Sequence, residues 1–160
     1  MYNHPQQKQR IPSNREIPPQ FTLKQVTLKL KERLTKTEFE SDEDQYNIWC
    51  RICQDILIEP TACKKCKLAF CQSCFDTYLK ENDQTCPSGC KNGLQGGPLP
   101  RKNNKALKTL FFSCLNLEHG CETMLPYSRL YLHDNECPFR MVSCKCCQED
   151  IHIVNAQEHI

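Results

Sequence analysis

Fourteen cysteines among 160 residues, most of them in C-x-x-C pairs, and no regular segment long enough to bury a large core together predict a small α+β fold held by metal. At that share of the composition, cysteines usually organise the fold. Small domains without a large core need metals or disulfides to be stable. Metal is the expectation here. The N-terminal stretch "MYNHPQQKQRIPSNREIPPQ" is polar and proline-rich, with none of the apolar character of a signal peptide. No apolar run approaches the ~18 residues of a membrane span. A reducing, cytoplasmic setting follows as an expectation, and clustered cysteines there point to metal before disulfides. The formal net charge of +2 gives no strong field toward nucleic acid.

Residues 1–45 read as an arm. Residues 1–20 have little to bury and are expected to be disordered. "FTLKQVTLKLKERLTK" places Leu23, Val26, Leu30 and Leu34 at helical spacing, although "VTLKL" also alternates as a strand does. The stripe is expected to pack back on the cysteine-rich region or, alternatively, to pair with another chain. Lys24, Lys29, Lys31, Arg33 and Lys36 make the arm basic, and the acidic "EFESDED" follows as a linker.

Residues 46–93 carry eight cysteines in four pairs: Cys50 with Cys53, Cys63 with Cys66, Cys71 with Cys74, and Cys86 with Cys90. Zinc takes four thiolate or imidazole ligands, so no pair closes a site alone and eight ligands suffice for two ions. A thioredoxin-type redox pair would need a βαβ setting that this stretch lacks. Phe70, Phe75 and Leu79 look like core, the last two at helical spacing. The Gly/Pro stretch after Cys90 reads as a boundary. Residues 94–110 then form a linker with a short helix at "NNKALKTL".

A second pattern fills residues 111–138 and 139–160. Cys114, Cys121, His133 and Cys137 form one set, and "YSRLYLHDNEC" places His133 and Cys137 one helical turn apart. Cys144, Cys147 and His159 form another. Eleven residues separate cysteine from histidine in both, and such a repeat is more specific than either group alone. Repeating the spacing puts the last ligand of the second unit beyond Ile160, so the chain is expected to be a piece of a longer protein or to end in an incomplete unit. Cys146 reads as a buried thiol or a substitute for Cys147. His119 and His152 read as neighbours of ligands, and His4 lies in the arm.

"CRICQDILIEPTACKKCKLAFCQSCFDTYLKENDQTCPSGC" resembles a RING domain, whose pattern is C-x-x-C, a loop, C-x-H-x-x-C-x-x-C, a second loop and C-P-x-C. The resemblance implies interleaved sites: Cys50, Cys53, Cys71 and Cys74 on one zinc, and Cys63, Cys66, Cys86 and Cys90 on the other. Leu68 stands where the usual histidine falls if Cys66 is the third ligand, and the last pair is one residue longer than the pattern. Taking Cys63 and Cys66 as third and fourth ligands gives an all-cysteine RING. The later units resemble TRAF-type zinc fingers, with Gly120-Cys121 and His133-x-x-x-Cys137 matching that pattern. Together the order is similar to the N-terminal half of TRAF-like ubiquitin ligases, and implies a cross-brace RING followed by tandem CCHC fingers. Two zinc ions are expected in the RING, one in the first finger and a further one in the second.

By the same resemblance the chain would be a RING-type ubiquitin transferase with no catalytic residue of its own. It would dock a ubiquitin-charged conjugating enzyme through Ile52, Tyr78 (where the family often has Trp), Pro87 and Lys91, and promote transfer to a lysine of a protein substrate. The alternative is a zinc-stabilised adaptor whose altered RING recruits no conjugating enzyme. For Tyr78 a core role, and for Lys91 an ordinary surface role, are the competing readings.

Overall fold

The computed structural model describes residues 17–24, 28–91 and 96–159. In chain order the elements are β1 (Phe21–Leu23), α1 (Leu30–Arg33), β2 (Leu34–Thr37), β3 (Pro60–Cys63), β4 (Ala69–Cys71), α2 (Gln72–Glu81), β5 (Gly96–Gly97), α3 (Arg101–Lys108), β6 (Leu110–Ser113), β7 (Met124–Pro126), α4 (Tyr127–Glu136), β8 (Met141–Cys144) and β9 (Asp150–His152). No described helix is long and apolar enough to cross a membrane. The chain divides into two compact units.

One unit comprises residues 28–112 with 126–128. Its sheet has the order β4-β3-β5, with Thr61 opposite Phe70 and Ala62 opposite both Ala69 and Gly97. Phe75 and Leu79 lie one turn apart on α2 and are buried. Phe75 stacks on Phe70 of β4, with ring centroids 5.0 Å apart. Helix α2 stops where Asp83 and Gln84 both take positive φ, a conformation that an α-helix cannot continue. Two glycines from the stretch read as a boundary form β5, against β3. A Cβ at Gly96 would stand 1.8 Å from Thr61 Oγ1, so only glycine lets this strand close on the sheet. Ala106 and Leu107 of α3 are buried, as the short helix expected there requires.

The basic arm is not one helix. Among the described residues of 21–36 only Leu30–Arg33 is helical. Phe21–Leu23 is a strand, and Leu34–Thr37 pairs antiparallel with β6 across a bulge. Val26 lies outside the described residues. The apolar stripe fits period 3.6, but the alternation in "VTLKL" fits period 2, and tertiary partners decide such short segments. For α1 the partner is a buried carboxylate. Asp55 accepts the backbone N–H of Leu30 at 3.0 Å and of Lys31 at 2.9 Å, satisfying two of the free donors at a helix start. On the same loop, Leu57 O accepts a 2.5 Å bond from the hydroxyl of Tyr127, whose ring tilts against Phe112.

The other unit contains residues 113–125, 129–159 and the described residues 17–24. Its sheet has the order β1-β8-β9, with Phe21 opposite Cys144 and Val142 opposite Ile151. Phe21, Val142, Cys144, Ile153 and Ala156 form its small apolar cluster, with Ile17 and Leu23 at the edge. Residues expected to be disordered or helical thus supply the third strand of the C-terminal sheet. Each unit's strands hold cysteine-bearing turns close together.

Candidate metal centres

Three of the C-x-x-C pairs sit in the same turn. In each, the amide of the residue after the second cysteine donates to the carbonyl of the first: Gln54 to Cys50 at 3.0 Å, Lys67 to Cys63 at 2.9 Å and Gln148 to Cys144 at 2.9 Å. In each, that residue has positive φ, at 57°, 63° and 63°. The first cysteine's own amide then donates to the carbonyl two residues beyond the second: Asp55, Leu68 and Glu149. The turn folds the chain back so that both thiols face one point. The Cys71–Cys74 pair uses a different device, the first turn of α2, with Cys71 as its N-cap. The longer Cys86–Cys90 pair absorbs its extra residue at Gly89, where φ is 81°.

Four groups of ligand atoms result, each with all its atoms within 4.8 Å of one another. Cys50, Cys53, Cys71 and Cys74 form the first, and Cys63, Cys66, Cys86 and Cys90 the second. The pairs therefore interleave, first with third and second with fourth, and "CKKCKLAFCQSC" serves both groups. Leu68 belongs to neither group and gives only its carbonyl, to Cys63. Cys114, Cys121, His133 and Cys137 form the third, with His133 on α4 and Cys137 one residue past its end. Cys144, Cys147 and His159 form the last.

The spacings suit a tetrahedral ion. Zn–S bonds of ~2.3 Å put two sulfurs ~3.8 Å apart at tetrahedral angles. Cys53 and Cys71 are 4.0 Å apart, Cys66 and Cys86 3.9 Å, and Cys114 and Cys137 3.6 Å. His133 Nε2 lies 3.1 Å from Cys114 and 3.5 Å from Cys121, and His159 Nε2 lies 3.2 Å from Cys147. Backbone amides also point at sulfur: Ile58 at Cys71 (3.2 Å), Asn116 at Cys114 (3.3 Å) and Cys90 at Cys86 (3.4 Å).

The electrostatics of the thiols follow one pattern. In every group one thiol ionises more readily than usual and a partner less. Burial opposes ionisation of Cys63, but hydrogen bonds from the backbone of Cys66 and Lys65 outweigh it and bring the thiol down to about 7. Backbone hydrogen bonds of Cys147 and Cys146 bring Cys144 down to about 7. Conversely, the neighbouring Cys86 thiol and then burial push Cys90 up to about 12, and burial above all does the same to Cys114. Burial also raises Cys71 and Cys74, each further raised by the negative charges of Cys50 and Cys53. The first thiolate in each group repels the next, so a divalent cation is what would let all of them ionise together. Donor type, number and spacing fit structural zinc.

Residues 49–90 match the family model "Zinc finger, C3HC4 type (RING finger)". Residues 49–90 are a RING finger. The RING is a cross-brace in which both groups are built from cysteine alone, and further Cys/His groups follow it. Over 114 residues, 68% of this chain, the sequence is 31% identical to "E3 ubiquitin-protein ligase NRDP1" of Homo sapiens, covering 35% of that protein. It is 28% identical to "RING finger protein 151" of Bos taurus over 100 residues, 61% of this chain and 40% of the relative. It is 30% identical to "E3 ubiquitin-protein ligase RNF125" of Homo sapiens over 89 residues, 55% of this chain and 36% of the relative. The chain thus spans between a third and two fifths of the length of these curated relatives.

The other expected residues fall on the RING as follows. Ile52 lies inside the first cysteine pair, Tyr78 on α2 and Pro87 inside the last pair, and all three are half-buried. Tyr78 is therefore not a closed core residue, unlike Phe75 and Leu79. Lys91 is exposed and follows the last cysteine. Cys146, expected to be buried, is exposed, because the turn that converges Cys144 and Cys147 points the residue between them outward. His119 and His152 stand outside every group of ligands, and His152 packs edge-on against Phe139. His4 lies outside the described residues. Sequence reasoning missed Asp55, Tyr127 and β1, all of which act through contacts far apart in the chain.

Proposed function

We propose that this chain is the RING-bearing part of a ubiquitin-protein ligase, acting in a reducing, cytoplasmic compartment. It docks a ubiquitin-charged conjugating enzyme and promotes transfer of ubiquitin to a lysine of a protein substrate. The observation that carries the reading is the RING itself, complete in eight ligands and shared with relatives named as ubiquitin-protein ligases. Cys50, Cys53, Cys71 and Cys74 hold one zinc, Cys63, Cys66, Cys86 and Cys90 a second, and Cys114, Cys121, His133 and Cys137 a third. Cys144, Cys147 and His159 contribute to a fourth.

Zinc supplies structural cross-links here and takes no part in bond making. The chain's own residues act by position. Ile52 and Pro87 lie inside the first and last cysteine pairs and Tyr78 on α2; all three are half-buried, and their remaining surface would meet the partner. Asp55, through the amides of Leu30 and Lys31, and Tyr127, through the carbonyl of Leu57, tie down the loop that follows Ile52. A docked conjugating enzyme would meet a preformed surface, and orientation of the thioester-linked ubiquitin would lower the barrier to attack by the substrate amine. Lys91, exposed directly after the last cysteine, would contact both enzyme and ubiquitin.

Ubiquitin discharge from a panel of charged conjugating enzymes tests this. The zinc-loaded chain should accelerate discharge with at least one of them. Ile52→Ala should remove apolar contact worth ~1–3 kcal/mol of docking while zinc content stays unchanged. Lys91→Ala should slow discharge more than it weakens docking. A fully zinc-loaded chain inactive with every enzyme would instead support a non-catalytic adaptor.

A further inference from the structure

Two adjoining cavities of about 250 and about 420 Å³ open on the unit that carries the RING, and Tyr46, Trp49 and Arg51 line both. Glu43, Lys67 and Lys102 also line the first. We propose that this trough binds an acidic segment of a partner protein, through the segment's carboxylates and one aromatic anchor. None of Ile52, Tyr78, Pro87 and Lys91 lines either cavity. The surface therefore uses other residues than those assigned to the conjugating enzyme, and it stands whether or not the chain transfers ubiquitin.

The backbone holds the root of each lining group. Arg51 lies inside the first C-x-x-C turn, and Lys67 closes the second, with its amide on Cys63 O at 2.9 Å and its φ at 63°. Lys102 stands in the first turn of α3. The next residue, buried Asn103, donates from its side-chain amide to Asn47 O at 2.7 Å and so ties α3 to the 3-10 turn Asp44–Ile48. Trp49 follows that turn, bridges to Ile56 through its backbone and is half-buried, while Tyr46 is 68% exposed. Arg51, Lys67 and Lys102 are exposed, and among the described residues no carboxylate pairs with any of them. Three cations against the one carboxylate of Glu43 give the lining a net charge of +2. Tryptophan, tyrosine and arginine are the side chains that carry most of the binding energy at protein interfaces. Cations without partners beside them select a segment of opposite charge. Nucleic acid fits the trough worse. A run of phosphates would meet Glu43 among the cations, whereas a peptide can set an amide or an ammonium there.

Trp49 is the chain's only tryptophan, so its fluorescence reads the trough directly. The whole zinc-loaded chain is titrated with the peptide acetyl-DEFEDE-amide as probe. Its neutral counterpart acetyl-NQFQNQ-amide and a single-stranded oligothymidine serve as the comparisons. The acidic peptide should move the Trp49 emission saturably, and its affinity should fall as salt rises. The neutral peptide should bind at least tenfold more weakly. Joint substitution of Arg51→Gln, Lys67→Gln and Lys102→Gln should weaken the acidic peptide at least tenfold, and Glu43→Gln should tighten it. Zinc content and the amide signals of α2 and α3 report whether each variant keeps its fold. Should the joint substitution disturb that fold, the contrast between the two peptides still decides the matter. The proposal is overturned if the acidic peptide at about 1 mM leaves the emission unmoved, or if the neutral peptide binds as well. Affinity that survives the joint substitution, or tighter binding of the oligothymidine, overturns it equally.

Discussion

The Cys114–Cys137 group and the Cys144–His159 group repeat one spacing, eleven residues from cysteine to histidine, and close it differently. In the first, all three cysteines are buried and the histidine sits on a ten-residue helix that delivers Cys137 at its end. In the second, Cys147 is exposed, His159 follows a short 3-10 turn, and three ligands meet instead of four. The second also draws on packing from a distant part of the chain. Strand β1 arrives from residues 21–23, pairs with β8 along its length and places Phe21 over Val142 and Ile153. The lesson is that a metal unit has two sources of order, and their shares differ between neighbours in one chain. Among the described residues, four ligands meet in the first unit, and three meet beside an added strand in the second.

Ligand substitution should separate the two most strongly. Cys114→Ser opens a closed, buried site whose metal is coupled to folding by ~10 kcal/mol or more. Loss of one zinc per chain and collapse of the α4 amide signals are expected. Cys147→Ser should cost its group the metal as well, yet β1, β8 and β9 should keep their signals. Collapse of both groups alike would end the distinction.

The packing side is probed by Phe21→Ala. Phe21 is 4% exposed, and truncating a buried phenylalanine costs ~3–5 kcal/mol. Hydrogen exchange in β8 and β9 should accelerate by more than a hundredfold, while the α4 amides keep their wild-type protection. If exchange in β8 is unmoved, β1 lies on the sheet without supporting it.

Much of this was legible from spacing, because ligand geometry is local. A C-x-x-C turn converges two sulfurs whatever surrounds it, so the pairs could be read from the chain, and so could the i, i+4 pair His133 and Cys137; which pairs of the first eight cysteines share a group came from the resemblance to a RING. The short helix before Cys114 and the buried Phe70, Phe75 and Leu79 were legible for the same reason. Residues 21–36 were not. Their apolar stripe satisfies a helix, and only Cys144 and Phe112, some 123 and 78 positions away from Phe21 and Leu34, make strands of Phe21–Leu23 and Leu34–Thr37. Asp55 looks like any loop acid until Leu30 and Lys31 bring their amides to it. Cys146 was misread because a buried thiol is the commoner state of a free cysteine.

Backbone conformation distinguishes the two groups more gently. The turn into Cys121 runs through Gly120 at φ 100°, where a Cβ would meet the Phe139 ring at 3.3 Å. Gly120→Ala should cost ~1–2 kcal/mol from the left-handed backbone, with the tight contact added. The expected result is a lower melting temperature for this group at unchanged zinc content. An unchanged melting temperature would mean that the turn relaxes out of the left-handed region.

The smallest effect should have the opposite sign. Gln148 holds φ at 63° in the turn after Cys147, as Lys67 does after Cys66. A residue with a Cβ loses ~1 kcal/mol or more in that region, and glycine does not. Glycine also widens the unfolded ensemble, which returns ~0.4–1 kcal/mol to the unfolded side. Gln148→Gly should therefore stabilise the C-terminal group by less than ~1 kcal/mol, seen as a small rise in melting temperature. Lys67→Gly, in the same turn of the RING, serves as the reference. There both neighbouring ligands, Cys63 and Cys66, belong to a four-cysteine group, so the turn is already pinned and the gain should be smaller still. Equal gains at the two positions would indicate that the exposed three-ligand group holds its turn as firmly as the RING does, and would remove the difference between closed and open sites at the level of the backbone.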